Sequence, residues 1–240
     1  MPGRRMMILI EGNIAAGKTT IGQEIAGSSS FEFIEEPVEM WRRFPLSRGK
    51  TFNLLKWFYS DTKRAAYTFQ TAAFITRAKN WTEILQRTNH NQVLLERSVF
   101  CDYNVFAFNC FRSKNMSEAE RNIYRQLWAL TIGQGKIDRP DLIIYYRTPC
   151  ETCVQRMPKR HRAEEKAVVE NYLKKLEKLH DEWLIGRKDS TAPLLMLRDK
   201  EPLDEEIQAN QITVPVLVLD GELQWKGAEI AKKIEEKLSA

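Results

Sequence analysis

Eight residues near the start of the chain, Gly12-Asn13-Ile14-Ala15-Ala16-Gly17-Lys18-Thr19, constrain the fold more than any other stretch. Two glycines five apart, followed by Lys and a hydroxyl residue, spell a phosphate-binding loop, and the pattern carries weight only between a strand and a helix. The flanks meet that condition. Met6 to Glu11 is a short apolar run that stops at Gly12, and Ile21 to Ala26 resumes at helical spacing. In such a loop the backbone N–H groups face a phosphate and the following helix start adds partial positive charge. Lys18 then neutralises β- and γ-oxygens, and the Thr19 hydroxyl can hold Mg²⁺. Gly12 to Thr19, with Thr20 beside them, are therefore the expected triphosphate-binding set. The acceptor has to be argued from other residues, because many enzyme classes share this loop.

The rest of the chain alternates strands with helices. Phe31 to Ile34, Gln92 to Leu95, Leu142 to Tyr146 and Val214 to Leu219 read as further buried strands, giving about five. Leu54 to Leu85 lacks proline and glycine and reads as helix, with a break near Ser60-Asp61. Ser117 to Ile132 opens on a capping-box spacing, and Glu164 to Leu184 and Ala228 to Leu238 are helical. The alternation predicts a three-layer α/β domain over residues 1–240, a central parallel sheet flanked by helices. Arg187 to Gln211, mixed in charge and holding Pro193 and Pro202, reads as an irregular connection.

Composition excludes more than it identifies. A surplus of five basic residues spread over many helices is small for a nucleic-acid binder. No run of about 18 apolar residues suggests a membrane span. The start Met1-Pro2-Gly3-Arg4-Arg5 lacks the apolar stretch of a secretory signal, so a cytoplasmic protein is expected. Cys150 and Cys153 have the two-residue gap of metal and redox sites, but no second Cys pair or paired His follows. Reduced structural thiols are the expectation for all four cysteines.

At the second strand end the chain runs Phe33-Ile34-Glu35-Glu36-Pro37-Val38-Glu39-Met40-Trp41. With the Gly-Asn-Ile form of the loop, this resembles the deoxynucleoside kinase family. Tyr59, Phe69-Gln70, Arg77, Glu96-Arg97-Ser98-Val99-Phe100, Arg156, Arg160, Arg162 and Glu164-Glu165 follow in the family's order and spacing. The resemblance implies ATP with Mg²⁺ as donor, a 2′-deoxynucleoside as acceptor, and a homodimer built on the helices of Leu54 to Leu85 and Ser117 to Ile132. It implies Glu36 as the base for the 5′-hydroxyl, Arg97 on the 5′-oxygen and Glu96 as the metal-associated acid. A carboxylate suits that first role because a hydroxyl is a poor nucleophile. Glu35 is an alternative on chemistry alone.

The same resemblance sets Trp41 against sugar and base, Tyr59 with Glu165 on the 3′-hydroxyl, and Gln70 on the base edge. An aromatic ring from Phe100 to Phe108 would cover the base. Arg156, Arg160 and Arg162 fall in the family's lid, about 156–165, which closes on ATP phosphates; Pro158 departs from the usual residues there. Arg77 and Asp102 match the branch that takes deoxycytidine and purine deoxynucleosides. An Asp carboxylate only accepts hydrogen bonds, so it suits an amino group or ring N–H and crowds a thymine methyl. A monophosphate kinase of the same fold would need extra cations where Glu36-Pro37 stands. A non-catalytic relative would have lost Lys18, Thr19, Glu36 or Arg97, and all four are present.

Overall fold

The computed structural model describes residues 5–133, 139–160, 162, 164, 168–194, 196 and 212–239. Its main sheet grows outward from β1 (Met6–Glu11). That strand is buried on both faces, with Ile8, Leu9 and Ile10 fully enclosed, as a central parallel strand requires. β5 (Gln92–Glu96) pairs with it in parallel on one side, Met6 opposite Gln92, and β2 (Glu32–Ile34) lies beyond β5. On the other side come β6 (Leu142–Arg147) and then β8 (Thr213–Asp220), both parallel. The strand order is thus β2-β5-β1-β6-β8, with one more strand, β7 (Thr191–Pro193), beyond β8. Chain direction through the sheet reverses at β1, and in open α/β sheets a ligand crevice forms outside the strand ends at such a point.

The sixth strand, β7 (Thr191–Pro193), is a difference from the expected five. It pairs antiparallel with β8, Thr191 opposite Pro215, inside the stretch that reads as irregular. Three residues carry no period, and Pro193 argues against a strand except at a sheet edge, where it stands. Most of 195–211 lies outside the described residues.

Helices cover the sheet. α1 (Lys18–Gly27) leaves the phosphate-binding loop. A short α2 (Val38–Arg42) and a two-stranded hairpin, β3 (Phe44–Pro45) with β4 (Thr51–Phe52), lead to α3 (Leu54–Ser60) and α4 (Thr62–Arg87). The expected break falls at Asp61, whose carboxylate accepts from the Arg64 N–H and caps α4. Asn53 caps α3 in the same way, accepting from the Lys56 N–H at 2.8 Å. α5 (Val99–Cys101) passes through a π-helical turn, Asp102–Ala107, into α6 (Phe108–Arg112). α7 (Glu118–Trp128) carries the expected capping box of Ser117 and Glu120 and continues through a π turn to Gly133.

α8 (Cys150–Arg156) runs into a 3₁₀ turn over Met157–Arg160, so Pro158 sits in a tight turn. α9 (Glu170–Leu184) begins six residues later than the pattern from Glu164 suggests. Val169 before it is extended, φ −94 and ψ 152, as suits the β-branched pair Val168-Val169. α10 (Gly227–Ser239) closes the chain against α1. All four cysteines are free and buried.

Candidate active site

The loop after β1 owes its shape to two glycines. Gly12 has φ 154, and a Cβ there would stand 2.5 Å from the Tyr146 carbonyl oxygen of β6. Gly17, φ 105, is the left-handed N-cap of α1. Asn13 ties the loop inward: its Oδ1 accepts from the Ile14 N–H and its Nδ2 donates to the Leu173 carbonyl of α9 at 3.0 Å. Lys18 reaches back across the loop to the Asn13 carbonyl at 2.8 Å. Burial and the neighbouring Arg97 push its ammonium down to about 8, against the pull of Glu96 and Glu36. From the far side Thr148 and Arg156 both donate to the Ala16 carbonyl, at 3.0 and 2.7 Å, and Arg156 also holds the Gly221 carbonyl.

Two clefts meet at this loop. The first cleft is lined by Ala15 to Thr20, Glu96, Arg156, Lys159 and Arg160. The Thr19 hydroxyl donates to Glu96, 2.9 to 3.0 Å from both carboxylate oxygens. A hydroxyl beside a carboxylate at a helix start is a hard-oxygen set that suits Mg²⁺. The second cleft runs from the loop between α2, α3, α4 and the π turn. Trp41, Tyr59, Gln70, Arg77 and Asp102 line it, with Glu36 and Arg97 toward the loop. Lys18 and Arg160 border both clefts, whereas Arg162 borders only the second. Glu165 lies outside the described residues.

Charges in the second cleft are tightly paired. Glu36 Oε1 takes both the Arg77 Nη2 and the Arg97 Nε, each at 3.1 Å. Burial raises the Glu36 carboxyl, but Arg97, Arg77 and Lys18 outweigh it and hold it at about 2. Arg77 forks onto Asp102, Nε to Oδ2 at 2.8 Å and Nη2 to Oδ1 at 3.2 Å. Burial pushes the Asp102 carboxyl up while Arg77 opposes it. The Arg77 guanidinium lies 5.2 Å over the Trp41 ring. Gln70 is buried and donates to the Cys110 sulfur at 3.7 Å, which orients its amide.

Arg97 is held from every side. Its backbone is left-handed, φ 64, a strained state for a residue with a side chain. Its N–H donates to the Ile10 carbonyl, Nη2 to the Gly12 carbonyl at 3.2 Å, and Nη1 to Cys101 Sγ at 3.4 Å. Phe106, in the expected aromatic region, stacks its ring 4.6 Å from the guanidinium and lines the second cleft.

Sequence reasoning missed what lies beneath Arg97. Glu11, Cys101 and His180 place ligand-type atoms within 4.8 Å of one another, all buried. His180 Nδ1 sits 2.7 Å from the Leu176 carbonyl and its Nε2 3.4 Å from Cys101 Sγ. Burial holds its imidazole down at about 3. Neither Glu11 oxygen makes a hydrogen bond of ordinary geometry among the described residues. Burial pushes that carboxyl up to about 7 although Arg97, Ser98 and Cys101 pull it down. The three residues come from β1, α5 and α9, so no local pattern announces them.

The deoxynucleoside kinase family profile matches residues 8–238. The chain is 35% identical to deoxycytidine kinase 2 of Gallus gallus, over 96% of this chain and 87% of that protein. It is 36% identical to thymidine kinase 2, mitochondrial, of Homo sapiens, over 85% of this chain and 75% of that protein. With human deoxycytidine kinase the identity is 31%, over 97% of this chain and 90% of that protein.

Glu11 makes stability depend on pH in a direction that can be measured. Its folded pKa lies above the ordinary value of 4.5, so the fold favours the protonated carboxyl, and stability falls as pH rises from there through about 7. Glu11→Gln is neutral at every pH. Relative to the parent, it should gain on the order of 3 kcal/mol between pH 5 and pH 8 in urea unfolding. A parent-to-variant difference that stays constant across that range would mean that Glu11 is ionised throughout.

Proposed function

The chain belongs to the deoxynucleoside kinase family and is an ATP-dependent deoxynucleoside kinase, and from its second cleft we infer that it phosphorylates the 5′-hydroxyl of deoxycytidine or a purine deoxynucleoside rather than thymidine. The observation that carries this reading is the buried Arg77–Asp102 fork, which lines the cleft and is joined to Glu36 through the Arg77 Nη2. A deoxynucleoside in this cleft would present its base to Gln70, Arg77 and Asp102 and its 5′-oxygen to Glu36.

The reaction follows from the placement of charge. Glu36 is a carboxylate at neutral pH, and Oε1 is taken by two guanidiniums while Oε2 takes neither. Oε2 accepts the proton of the 5′-hydroxyl as that oxygen bonds to the γ-phosphorus and the bond to the β–γ bridging oxygen breaks, releasing ADP. Lys18 and Arg160, which border both clefts, stabilise the charge spread over the moving phosphoryl group. Arg156 fixes the loop carbonyl of Ala16 and adds positive charge at the donor cleft. Trp41 and Tyr59 flank the sugar; Glu165, expected with Tyr59 on the 3′-hydroxyl, lies outside the described residues. Thr19 and Glu96 would hold Mg²⁺, which when bound offsets charge on the β- and γ-oxygens.

A homodimer fits α4 and α7. Ile75 on the first, Ile123 on the second and Leu130 just beyond it expose large apolar side chains, each about half accessible, which a symmetry mate would cover. Sedimentation at micromolar protein should give a species of twice the chain mass; a clean monomer would refute the assembly.

Glu36→Gln keeps the shape of the side chain and removes the proton acceptor. Turnover should fall at least about 10²-fold while deoxynucleoside affinity stays within about tenfold. Near-normal turnover would transfer the base assignment to another carboxylate, Glu35 first. On substrate choice, thymidine should be poorer than deoxycytidine, deoxyadenosine or deoxyguanosine by at least about 10²-fold in kcat/KM. Arg77→Met with Asp102→Ala should raise thymidine activity and lower that on the preferred base, with part of the loss coming from the broken Arg77–Glu36 contact. Equal use of all four deoxynucleosides by the parent protein would leave Arg77–Asp102 as a structural ion pair only.

A further inference from the structure

Glu164 stands two residues beyond Arg162, between the 3₁₀ turn ending at Arg160 and the start of α9. Among the described residues, its side-chain hydrogen bonds run to the acceptor side. Oε2 takes the Arg42 Nη2 at 2.8 Å, and Oε1 takes the Arg42 Nε at 3.2 Å and the Asn53 Nδ2 at 2.8 Å. Arg42 is the last residue of α2, directly after the cleft residue Trp41, and Glu39 steadies its remaining Nη1 at 2.6 Å. Asn53 is the N-cap of α3, so one amide caps that helix with its oxygen and holds Glu164 with its nitrogen. α3 in turn supplies Leu55, Phe58 and Tyr59 to the acceptor cleft.

This is stronger than an ordinary surface ion pair. The guanidinium meets the carboxylate through two parallel contacts, a third donor completes the set, and the Glu164 side chain is only 9% exposed. Hydrogen bonds from Arg42 hold its carboxyl at about 2, against partial burial and with help from Asn53, so the tie stays ionised throughout the physiological range. The tie joins residues more than a hundred positions apart, and it links the segment bearing Arg160 and Arg162 to two walls of the acceptor cleft.

We propose that Arg42, Asn53 and Glu164 are positioning residues that couple the two substrate sites, so that filling the deoxynucleoside cleft positions Arg160, which borders both clefts, and tightens the grip on ATP. The inference rests on the kinase reading given above, with the second cleft as the deoxynucleoside site. Coupling of this kind is reciprocal: the factor by which deoxynucleoside improves ATP affinity equals the factor by which ATP improves deoxynucleoside affinity.

The test measures binding of Mg²⁺ with adenylyl imidodiphosphate by calorimetry on the full chain, with and without saturating deoxycytidine or deoxyguanosine, whichever the parent turns over faster. The parent should bind the analogue roughly tenfold more tightly when deoxynucleoside is present. In Arg42→Met and in Glu164→Gln that factor should drop below about twofold, while each ligand alone binds within about threefold of the parent. The double variant should lose no more than either single one, because both remove the same link. Arg42→Lys, which keeps charge but not the fork, should fall between. Full synergy in both single variants, or equal losses in binary and ternary binding, would overturn the coupling while leaving the kinase reading intact. Turnover by the parent with no synergy would overturn it too; no turnover of any deoxynucleoside would instead strike at the kinase reading.

Discussion

One carboxylate oxygen, Glu36 Oε1, holds two buried guanidiniums together, and the second cleft is organised around that meeting. Burying a charge without a partner is costly, and breaking a buried pair by removing one member is costlier than never having built it. Arg77 and Arg97 lie on different elements, α4 and the turn after β5, so their shared partner fixes the distance between a long helix and the sheet. Asp102 extends the set to the π turn. The same three elements wall the cleft, so the electrostatic solution and the shape of the binding site are one construction. Hydrophobic packing alone would hold these elements together but would not place charged groups to within a hydrogen-bond length.

The part of this arrangement that is written locally is legible in the sequence. Gly12 and Gly17 announce a loop because their backbone geometry excludes other residues, and Ser117 with Glu120 announces a helix start because the capping box is a four-residue device. The central strands are legible from their unbroken apolar runs. Elements defined by long-range contact are not. β7 exists because β8 offers it an edge, and the hairpin of β3 and β4 has only two residues to a strand. α9 starts late because Val169 prefers an extended backbone, a local preference that the helical pattern downstream masks.

The site divides in the same way. Lys18, Glu36, Arg97 and the Arg77–Asp102 pair stand out because their motifs match a family in register, and the fold gathers them around two adjoining clefts. Glu11, Cys101 and His180 escape notice, since a lone acid at a strand end, a lone thiol and a lone imidazole have no spacing to betray them. Thr148 escapes for the same reason: its hydroxyl bond to the Ala16 carbonyl crosses from β6 to the phosphate-binding loop. Sequence period speaks to neighbours along the chain, whereas support for a site comes from neighbours in space.

The two arginines on Glu36 differ in how much of their bonding capacity the protein uses. Each nitrogen of the Arg97 guanidinium is engaged, Nε by Glu36, Nη1 by Cys101 and Nη2 by Gly12, and the Phe106 ring covers its face. Such a group is fixed in position, and its backbone strain is tolerated because so many contacts determine it. Arg77 spends Nε and Nη2 on Asp102 and Glu36, while its buried Nη1 has no hydrogen-bond partner among the described residues. A buried donor left unpaired costs about 1–3 kcal/mol, a cost that an acceptor on a bound base would remove. Arg97 is therefore fixed at the loop end of the second cleft, whereas Arg77 keeps one buried nitrogen, Nη1, without a partner beside Asp102 among the described residues.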